Sequence, residues 1–254
     1  MPRVRLDSLL AERGLFESRT RAAAAIIAGS VYLAPGRRRA EKPGQLVDPS
    51  IELEVDGPPP YVSRGGVKLA NALDGLGVDV SGRRCLDVGA STGGFTDCLL
   101  QRGAAHVIAL DVAYGELDYR LREDPRVTVI ERVNARALTP DQLEYEPDLI
   151  VSDVSFISLT KVLPAVLACA AASFDCLAMV KPQFEVGKDR VGKGGVVREH
   201  ALRLEAVRTV AASVQAAVMG SAPSALAGPS GNRETFLWLA EPGRAGAVTE
   251  VEAW

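Results

Sequence analysis

The sequence predicts an α/β protein whose mostly parallel sheet follows a small, basic α+β module. From residue 65 onward, apolar runs of strand length alternate with helix-like stretches, which is typical of a sheet covered by helices on both faces. The chain has 254 residues, 47% hydrophobic and 24% charged, so one large core and one small core are expected. Three prolines at positions 58–60 separate the two parts, because consecutive prolines cannot continue a strand ladder.

The first 57 residues predict two helices and short strands. Leu6, Leu9 and Leu10 are spaced as a helix stripe, and Ser18 is placed to cap a second helix at residues 19–28. Strands are expected at 31–33 and 51–55. We therefore predict domains at 1–57 and 65–254, joined by a linker at 58–64.

Positive charge is concentrated at the N-terminal end. Residues 1–42 contain nine Lys or Arg and four acidic residues, a net charge of +5, whereas the remaining 20 bases and 28 acids give −8. The basic end is a candidate contact for a polyanion, and a solvated surface is the equal alternative.

The second part predicts alternating strands and helices. Strands are expected at 84–88, 106–110, 127–130, 149–151, 176–180 and 235–239, and helices at 67–76, 95–102, 159–172 and 202–219. No apolar run is long enough for a membrane span, and Asp7 lies where a signal peptide would be apolar, so a cytoplasmic protein is expected. The four cysteines lack C-x-x-C spacing, and only two histidines accompany them, which favours buried thiols and no structural metal.

The clearest ligand signal follows the first strand of the predicted sheet. Residues 89–94 read Gly-Ala-Ser-Thr-Gly-Gly, a turn whose glycines let the backbone approach a ligand at a helix N-terminus. Asp111 follows the next strand, where a carboxylate can accept hydrogen bonds from both hydroxyls of a ribose. The two features predict a ligand that contains a nucleoside.

Several interpretations of this turn compete. A nicotinamide dinucleotide is disfavoured, because the pattern G-x-x-x-G-G lacks the second glycine of G-x-G-x-x-G. The turn also matches the G-x-S-x-G nucleophile elbow of serine hydrolases, but the partner of Ser91, His200, lies in a highly charged helix-like stretch. S-adenosylmethionine (SAM) fits best, with residues 87–93 at its amino-acid end and Asp111 at its ribose. A glycine turn that serves only strand-to-helix packing is the remaining alternative.

Two further strand ends predict the reacting groups. Asp153 follows the fourth strand without the D/N-P-P-Y/F motif that is typical of base-amino methyltransferases. Lys181 ends the apolar fifth strand, where an ammonium group is costly unless it is partnered or functional. A surface lysine that reaches solvent from the strand end is the alternative.

Five motifs after residue 62 resemble the hemolysin A, or TlyA, family. They are Ser63-Arg64-Gly65-Gly66-Val67-Lys68-Leu69, C-L-D-V-G-A-S-T-G-G-F-T from Cys85, S-D-V-S-F-I-S-L from Ser152, V-K-P-Q-F-E-V-G from Val180, and Gly228-Pro229-Ser230-Gly231-Asn232-Arg233-Glu234. The N-terminal R-L-D-x-L-L, G-x-x-x-S-R and I-x-x-G-x-V elements resemble an S4 RNA-binding domain. Members of this family are SAM-dependent ribosomal RNA ribose 2'-O-methyltransferases, with an S4 domain joined to an FtsJ-like domain. The resemblance therefore implies a Rossmann-like class I SAM-dependent methyltransferase domain after a small S4-like domain.

The resemblance also implies a role for particular residues. The family's catalytic tetrad falls on Lys68, Asp153, Lys181 and Glu234. Its SAM pocket falls on Asp87, Gly89, Ser91, Thr92, Gly93, Asp111, Asn134 and Phe156. Its RNA-facing helix and loop fall on Arg19, Arg21, Arg37, Arg38, Arg39 and Lys42.

A ribose hydroxyl is a very weak acid, so its attack on a methyl group needs in-line positioning and help with the proton. A neutral Lys181, held by Asp153 and kept neutral by the charges of Lys68 and the cofactor, could take that proton. Glu234 would orient Lys68 or the hydroxyl. The alternative is that both lysines stay charged and only position the substrate.

The acidic second part leaves other functions open. The main alternative is a methyltransferase for a small molecule or natural product, with a vestigial S4-like module. A membrane-lytic role, which the family's name suggests, lacks an amphipathic basic helix. Four glycines and three cations at 187–195 predict either a loop that closes over RNA or a solvated loop. The expected partners are ribosomal RNA or ribosomal subunits, with the target nucleotide, the subunit and the oligomeric state left open.

Overall fold

The computed structural model describes residues 3–57, 60–228 and 230–254. The chain divides into two compact units, residues 1–60 and 61–254. We call them the N-terminal unit and the C-terminal unit. Pro58 and Pro59 of the expected linker, and Pro229 of the last motif, lie outside the described residues.

The N-terminal unit is built from two short helices and small antiparallel sheets. Its elements are β1 (Val4–Arg5), α1 (Leu6–Glu12), α2 (Arg19–Ala28), β2 (Val31–Leu33), β3 (Arg38–Arg39), β4 (Leu46–Val47) and β5 (Leu53–Val55). Strands β1 and β4 pair, and β3, β2 and β5 form a second sheet in that order. The Ser18 hydroxyl accepts a hydrogen bond from the Arg21 amide at 3.2 Å, so it caps α2 as predicted. Strand β5 is shorter than expected because a turn precedes it. The Ile51 amide closes this turn by donating a hydrogen bond to the Asp48 carbonyl.

The C-terminal unit contains one seven-stranded sheet. Its strands are β6 (Arg84–Val88), β7 (His106–Leu110), β8 (Val127–Ile130), β9 (Leu149–Ser152), β10 (Asp175–Val180), β11 (Ala217–Pro223) and β12 (Thr235–Ala240). The order across the sheet is β11-β12-β10-β9-β6-β7-β8. The five strands from β10 to β8 are parallel, whereas β12 runs antiparallel to both of its neighbours. This topology confirms the predicted Rossmann-like α/β class.

Helices cover both faces of this sheet. They are α3 (Arg64–Leu76), α4 (Gly94–Gln101), α5 (Tyr119–Arg122), α6 (Leu163–Leu167), α7 (Pro182–Glu185) and α8 (His200–Ala212). Residues of α3 and α4 contribute to the core on one face, and residues of α6 and α8 to the core on the other. All four cysteines are buried in these two cores, unbridged. Among the described residues, no helix has the length and apolar character needed to cross a membrane.

Two predicted helices are shorter than expected. The helix expected at 202–219 ends at Ala212, and residues 217–223 form the edge strand β11 instead. These residues pair with β12, a strand that lies outside the predicted helix. This pairing overrides a locally helical composition. The helix expected at 159–172 is reduced to a 3-10 turn, Leu159–Lys161, followed by α6, which has Pro164 in its first turn.

Candidate active site

The topology brings the predicted reacting groups to one edge of the sheet. Strands β6, β9 and β10 are parallel neighbours, so Gly89, Asp153 and Lys181, each directly after one of them, lie at the same edge. Strand β12 is antiparallel and its first residue, Thr235, pairs with the last residue of β10, Val180. Glu234, directly before β12, therefore reaches this edge as well.

Four charged side chains form two ion pairs at this edge. Lys181 Nζ lies 2.6 Å from Asp153 Oδ1 and donates a hydrogen bond to Ser155 Oγ at 2.7 Å. Lys68, on α3, forms an ion pair with Glu234 through its Oε2 atom. Lys68, Lys181 and Glu234 are 7%, 9% and 2% exposed, so each of these charges depends on its partner.

Three adjoining cavities surround these ion pairs. The first cavity, of 480 Å³, is lined by all four charged residues and by the turn after β6. The second cavity, of 350 Å³, is lined by Asp111 and shares Gly89, Ser91, Asp153 and Ser155 with the first. The third cavity, of 830 Å³, shares Lys181 and Glu234 with the first. Both ion pairs therefore border the first and third cavities, and Asp153 also borders the second.

Asp111 holds the turn after β6 in place. Its Oδ2 atom accepts a hydrogen bond from the Ser91 amide and its Oδ1 atom accepts one from the Ala113 amide, both at 2.8 Å. A carboxylate has about four acceptor positions, so two remain for other donors. Glu116, which the sequence analysis did not identify, also lines the second cavity and accepts a hydrogen bond from Ser91 Oγ at 3.1 Å.

Six of the eight residues predicted to bind the cofactor line these cavities: Gly89, Ser91, Thr92, Asp111, Asn134 and Phe156. At Gly89, whose φ is +87°, a Cβ atom would lie only 2.8 Å from the Asp153 carbonyl oxygen. Glycine is thus needed for the turn to approach the end of β9. The Asn134 side chain also accepts a hydrogen bond from the Arg136 amide at 3.1 Å, which caps a short 3-10 helix.

Asp87 and Gly93 do not line the cavities. Asp87 is fully buried, accepts a hydrogen bond from Thr96 Oγ1 at 2.7 Å, and has its pKa raised by burial to about 7. Gly93, with φ +95°, packs where a Cβ atom would overlap the side chain of Leu121. Both residues support the turn, and their direct contact with a cofactor, which the resemblance implied, stays a prediction.

An exposed aromatic residue separates the second and third cavities. Phe156 is 92% exposed, and its ring centroid lies 5.3 Å from that of Phe184. Its φ of +64° is an uncommon backbone conformation for an aromatic residue and is strained. An apolar ring held open to solvent by a strained backbone is suited to contact a ligand.

Ser155 was missed by the sequence analysis, although it lines all three cavities and bonds to Lys181. Its position two residues after Asp153, in the quoted S-D-V-S motif, was the available signal. Gln183 and Phe184, which line the third cavity, follow Lys181 in the next motif.

The six basic residues predicted to face RNA all lie in the N-terminal unit and are exposed. Arg19 is paired with Asp7 at 3.2 Å and Arg21 with Glu17 at 3.3 Å, and Arg37 is paired with both Glu54 and Asp56.

The remaining three basic residues have different surroundings. The guanidinium group of Arg39 lies against Gly29, at the C-terminal end of α2, where a Cβ atom would overlap it. Within residues 3–57, the side chains of Arg38 and Lys42 form no hydrogen bond or ion pair with another described residue.

Comparisons with known proteins agree with this geometry. The FtsJ-like methyltransferase family model matches residues 61–241. The chain is 51% identical over 242 residues to the 16S/23S rRNA (cytidine-2'-O)-methyltransferase TlyA of Mycobacterium tuberculosis, an alignment that covers 93% of this chain and 90% of the relative. It is 43% identical over 201 residues to Hemolysin A of Brachyspira hyodysenteriae, covering 79% of this chain and 83% of that protein.

A solved structure extends this likeness to three dimensions. A proposed hemolysin from Streptococcus thermophilus superposes with a TM-score of 0.73 at 40% identity, over 96% of this chain and 90% of that one. Sequence and fold thus confirm the family that the five motifs predicted. The chain belongs to the FtsJ-like methyltransferase family and, within it, to the TlyA and hemolysin A proteins.

Proposed function

We propose that this protein transfers the methyl group of SAM to a ribose 2'-hydroxyl of ribosomal RNA. One observation carries the proposal: Lys181 and Glu234 each line both the first and the third cavity. A methyl donor on one side and an acceptor on the other would thus meet at the two ion pairs. The name of the M. tuberculosis relative, an rRNA cytidine-2'-O-methyltransferase, supports the same reaction and substrate.

The first and second cavities have features that suit SAM. They share four residues and so form a continuous cleft, with the remaining acceptor positions of Asp111 at one end for the ribose hydroxyls. Gly89 lines both cavities, so the turn presents backbone rather than a side chain to the cleft at this position. When bound, SAM supplies an electrophilic methyl group on a positively charged sulfur.

The Lys181 and Asp153 pair is placed to handle the hydroxyl proton. Lys181 Nζ donates a hydrogen bond to Ser155 Oγ and contacts Asp153 Oδ1 in an ion pair, which leaves one further position on Nζ for the acceptor oxygen. In this proposal Lys181 first releases one proton to solvent; as the acceptor oxygen attacks the methyl group, the neutral amine takes the hydroxyl proton and Asp153 stabilises the ammonium group that results. Such general-base help typically accelerates a reaction by about 10² to 10⁴.

The Lys68 and Glu234 pair positions the acceptor in this proposal. Glu234 lies in the wall between the first and third cavities, and Lys68 fixes its carboxylate from α3. Glu234 in turn orients the Lys68 ammonium group, which can donate a hydrogen bond to the 2'-oxygen, the only hydroxyl oxygen of a ribose inside an RNA chain. The acceptor oxygen would then point at Lys181 rather than rotate freely.

The third cavity has the size and the surface to hold a nucleotide. Phe156 and Phe184 offer apolar faces on which a base can stack, and Lys188 offers a cation for a phosphate. The exposed basic residues of the N-terminal unit, which we propose to be an S4-like domain, would hold a larger RNA.

Transfer of labelled methyl from SAM tests this function. The wild-type protein is incubated separately with small ribosomal subunits, large ribosomal subunits, naked ribosomal RNA and a panel of small hydroxylated molecules. The RNA products are then digested to nucleosides. We expect label in a 2'-O-methyl nucleoside, and none with Asp153→Asn although that variant still binds S-adenosylhomocysteine. Label on a base would contradict the ribose assignment, and label only in small molecules would favour the alternative of a small-molecule methyltransferase.

A further inference from the structure

The segment that carries Glu234 also contains Asn232, a buried residue to which the proposed reaction gives no role. Its side chain is 1% exposed and forms two hydrogen bonds to a loop about 35 residues earlier in the chain. The Oδ1 atom accepts from the Val197 amide at 2.9 Å, and the Nδ2 group donates to the Gly195 carbonyl at 2.8 Å. A buried amide that bonds twice to one loop fixes that loop against its own segment.

The loop in question, residues 187–197, forms one wall of the third cavity. Lys188, Val191, Gly192 and Gly195 line that cavity. The loop folds back on itself, because the Gly192 amide donates to the Val196 carbonyl at 3.2 Å and the Gly195 amide donates to the Gly192 carbonyl at 3.0 Å. Since these bonds lie within the loop, they shape it without attaching it to the rest of the unit.

The base of the loop is attached elsewhere by contacts of a different kind. Arg190 forms an ion pair with Glu205 of α8, in which both side chains are about half exposed. Such a surface pair contributes little, about 0 to 1 kcal/mol. Asn232 instead holds the tip, through Gly195, with a side chain that is inaccessible to water.

The turn that carries Asn232 is also packed against the catalytic carboxylate. Gly228 donates its amide to the Asn232 carbonyl at 2.9 Å, and a Cβ atom on Gly228 would lie 2.6 Å from Glu234 Oε1. The turn thus touches the Glu234 carboxylate at one end and fastens the loop through Asn232 at the other. A displacement of the loop is therefore transmitted to the Glu234 carboxylate, and the reverse, through the few residues between them.

We propose that Asn232 is a positioning residue that latches loop 187–197 against the third cavity, where the acceptor would bind. In this way it fixes the position of that cavity wall relative to Glu234. This inference rests on the proposed function, because the acceptor is the RNA. The sequence predicted either a loop that closes over RNA or a solvated loop at 187–195, and in the structure a buried amide holds this loop through Gly195 and Val197. None of the loop residues lines the first or second cavity, so the latch acts on the acceptor and not on the cofactor.

Three variants test the latch. Asn232→Leu removes both hydrogen bonds, Asn232→Asp keeps the acceptor for Val197 and loses the donor to Gly195, and Glu205→Gln is the matched control at the base of the loop. Three assays are run on the full chain: the rate of trypsin cleavage after Lys188, Arg190 or Lys193, methylation kinetics that give kcat and KM for ribosomal RNA, and binding that gives the Kd for S-adenosylhomocysteine.

We expect Asn232→Leu to speed cleavage in the loop by about tenfold and to raise the KM for RNA by a similar factor. The Kd for S-adenosylhomocysteine should stay within about twofold of wild type, because the cofactor cavities are untouched. Asn232→Asp should be intermediate in both assays, and Glu205→Gln should match wild type in all three.

Each contrary result has a separate meaning. Unchanged cleavage in Asn232→Leu would overturn the latch, and equal losses of cofactor affinity and methylation would show that Asn232 only supports the fold. An effect of Glu205→Gln as large as that of Asn232→Leu would assign the closure to the ion pair instead. If the wild-type protein methylates no RNA, the proposed function fails, while the cleavage comparison still decides whether Asn232 fastens the loop.

Discussion

The two units of this protein carry their charges in opposite ways. In the N-terminal unit, Arg37 is 58% exposed and is paired with carboxylates at the surface, where an ion pair is worth about 0 to 1 kcal/mol. In the C-terminal unit, Lys68 and Glu234 are almost fully buried, and loss of one partner of such a pair costs about 3 to 5 kcal/mol. The comparison shows that the first set can exchange carboxylate partners for phosphates at little cost, whereas the second is fixed by the fold.

The largest expected effect is on the rate, in Lys181→Arg. A guanidinium group keeps the positive charge next to Asp153 but cannot give up and regain a proton near neutral pH. If Lys181 takes the hydroxyl proton, kcat should fall by about 10² to 10⁴. Single-turnover methylation of ribosomal RNA measures this, with S-adenosylhomocysteine binding as the check on folding. Near-normal turnover would instead support the alternative in which the lysines stay charged and only position the substrate.

The next effect is on stability, in Lys68→Met. This change leaves the Glu234 carboxylate buried without its partner, so the free energy of unfolding should fall by about 3 to 5 kcal/mol. Lys68→Met combined with Glu234→Leu removes both charges and should recover most of the loss while remaining inactive. Urea unfolding followed by the fluorescence of Trp238 measures both variants. A double variant no more stable than the single one would mean that packing, rather than the unpaired charge, causes the loss.

A smaller effect is expected on the salt dependence of RNA binding, where Arg38 should differ from Arg37 in the N-terminal unit. Arg38 has no carboxylate partner among residues 3–57, whereas Arg37 must first leave Glu54 and Asp56. Arg38→Ala should therefore flatten the dependence of log K for RNA on log salt by about 0.7 to 0.9, the value of one phosphate contact. Arg37→Ala should change the slope by less than half of that. Equal slopes for the two variants would show that the surface ion pairs do not keep Arg37 from contacting phosphates.

The smallest effect concerns acid stability, through Asp7. The hydrogen bond from Arg5 lowers the pKa of Asp7 to about 2, and Arg19 contributes in the same direction. Because this pKa is depressed, the ionised pair stabilises the fold above the ordinary carboxyl pKa of about 4 and loses that contribution as the pH falls towards 2. Since both arginines are exposed, the contribution is about 1 kcal/mol.

Asp7→Asn checks this pH dependence. It should be less stable than wild type at pH 7, and the difference should fall to a small part of that value as the pH approaches 2. Urea unfolding of the full chain, followed by the NMR amide signals of α1, measures the N-terminal unit at each pH. A difference that stays constant with pH would mean that Asp7 acts through packing or helix capping alone.

The fold was predictable where periodicity and local turn signals agree. Strand β6 and the cap at Ser18 follow from residues within a few positions of each other. Strand β11 was not predictable, because residues 217–223 lack strong strand formers and gain their conformation from pairing with β12. Strand propensity depends only on the residues of the segment itself, whereas the conformation of this segment depends on its pairing with another strand.

The candidate site shows the same division. That Asp153 and Lys181 lie together follows from the rule that parallel strands end at a common edge, which the sequence pattern reveals. The burial of Asp87 beneath the turn was not visible, because a strand pattern alone does not say on which side of the sheet a cavity opens. Asn232 was quoted in a motif without a role, since its partners 35 and 37 residues away are set only by the folded chain.

The pairing of Lys68 with Glu234 joins residues that are 166 positions apart, which has a consequence for how the protein is made. A nascent chain that has emerged only as far as β10 already contains Lys68, the turn after β6 and Asp111, but not the carboxylate that neutralises Lys68. Until the β11 and β12 hairpin follows, that unfinished chain has an unpaired lysine at the edge of an incomplete sheet and an exposed side of β10. Completion of the sheet and assembly of the proposed catalytic groups therefore both require the chain as far as residue 240.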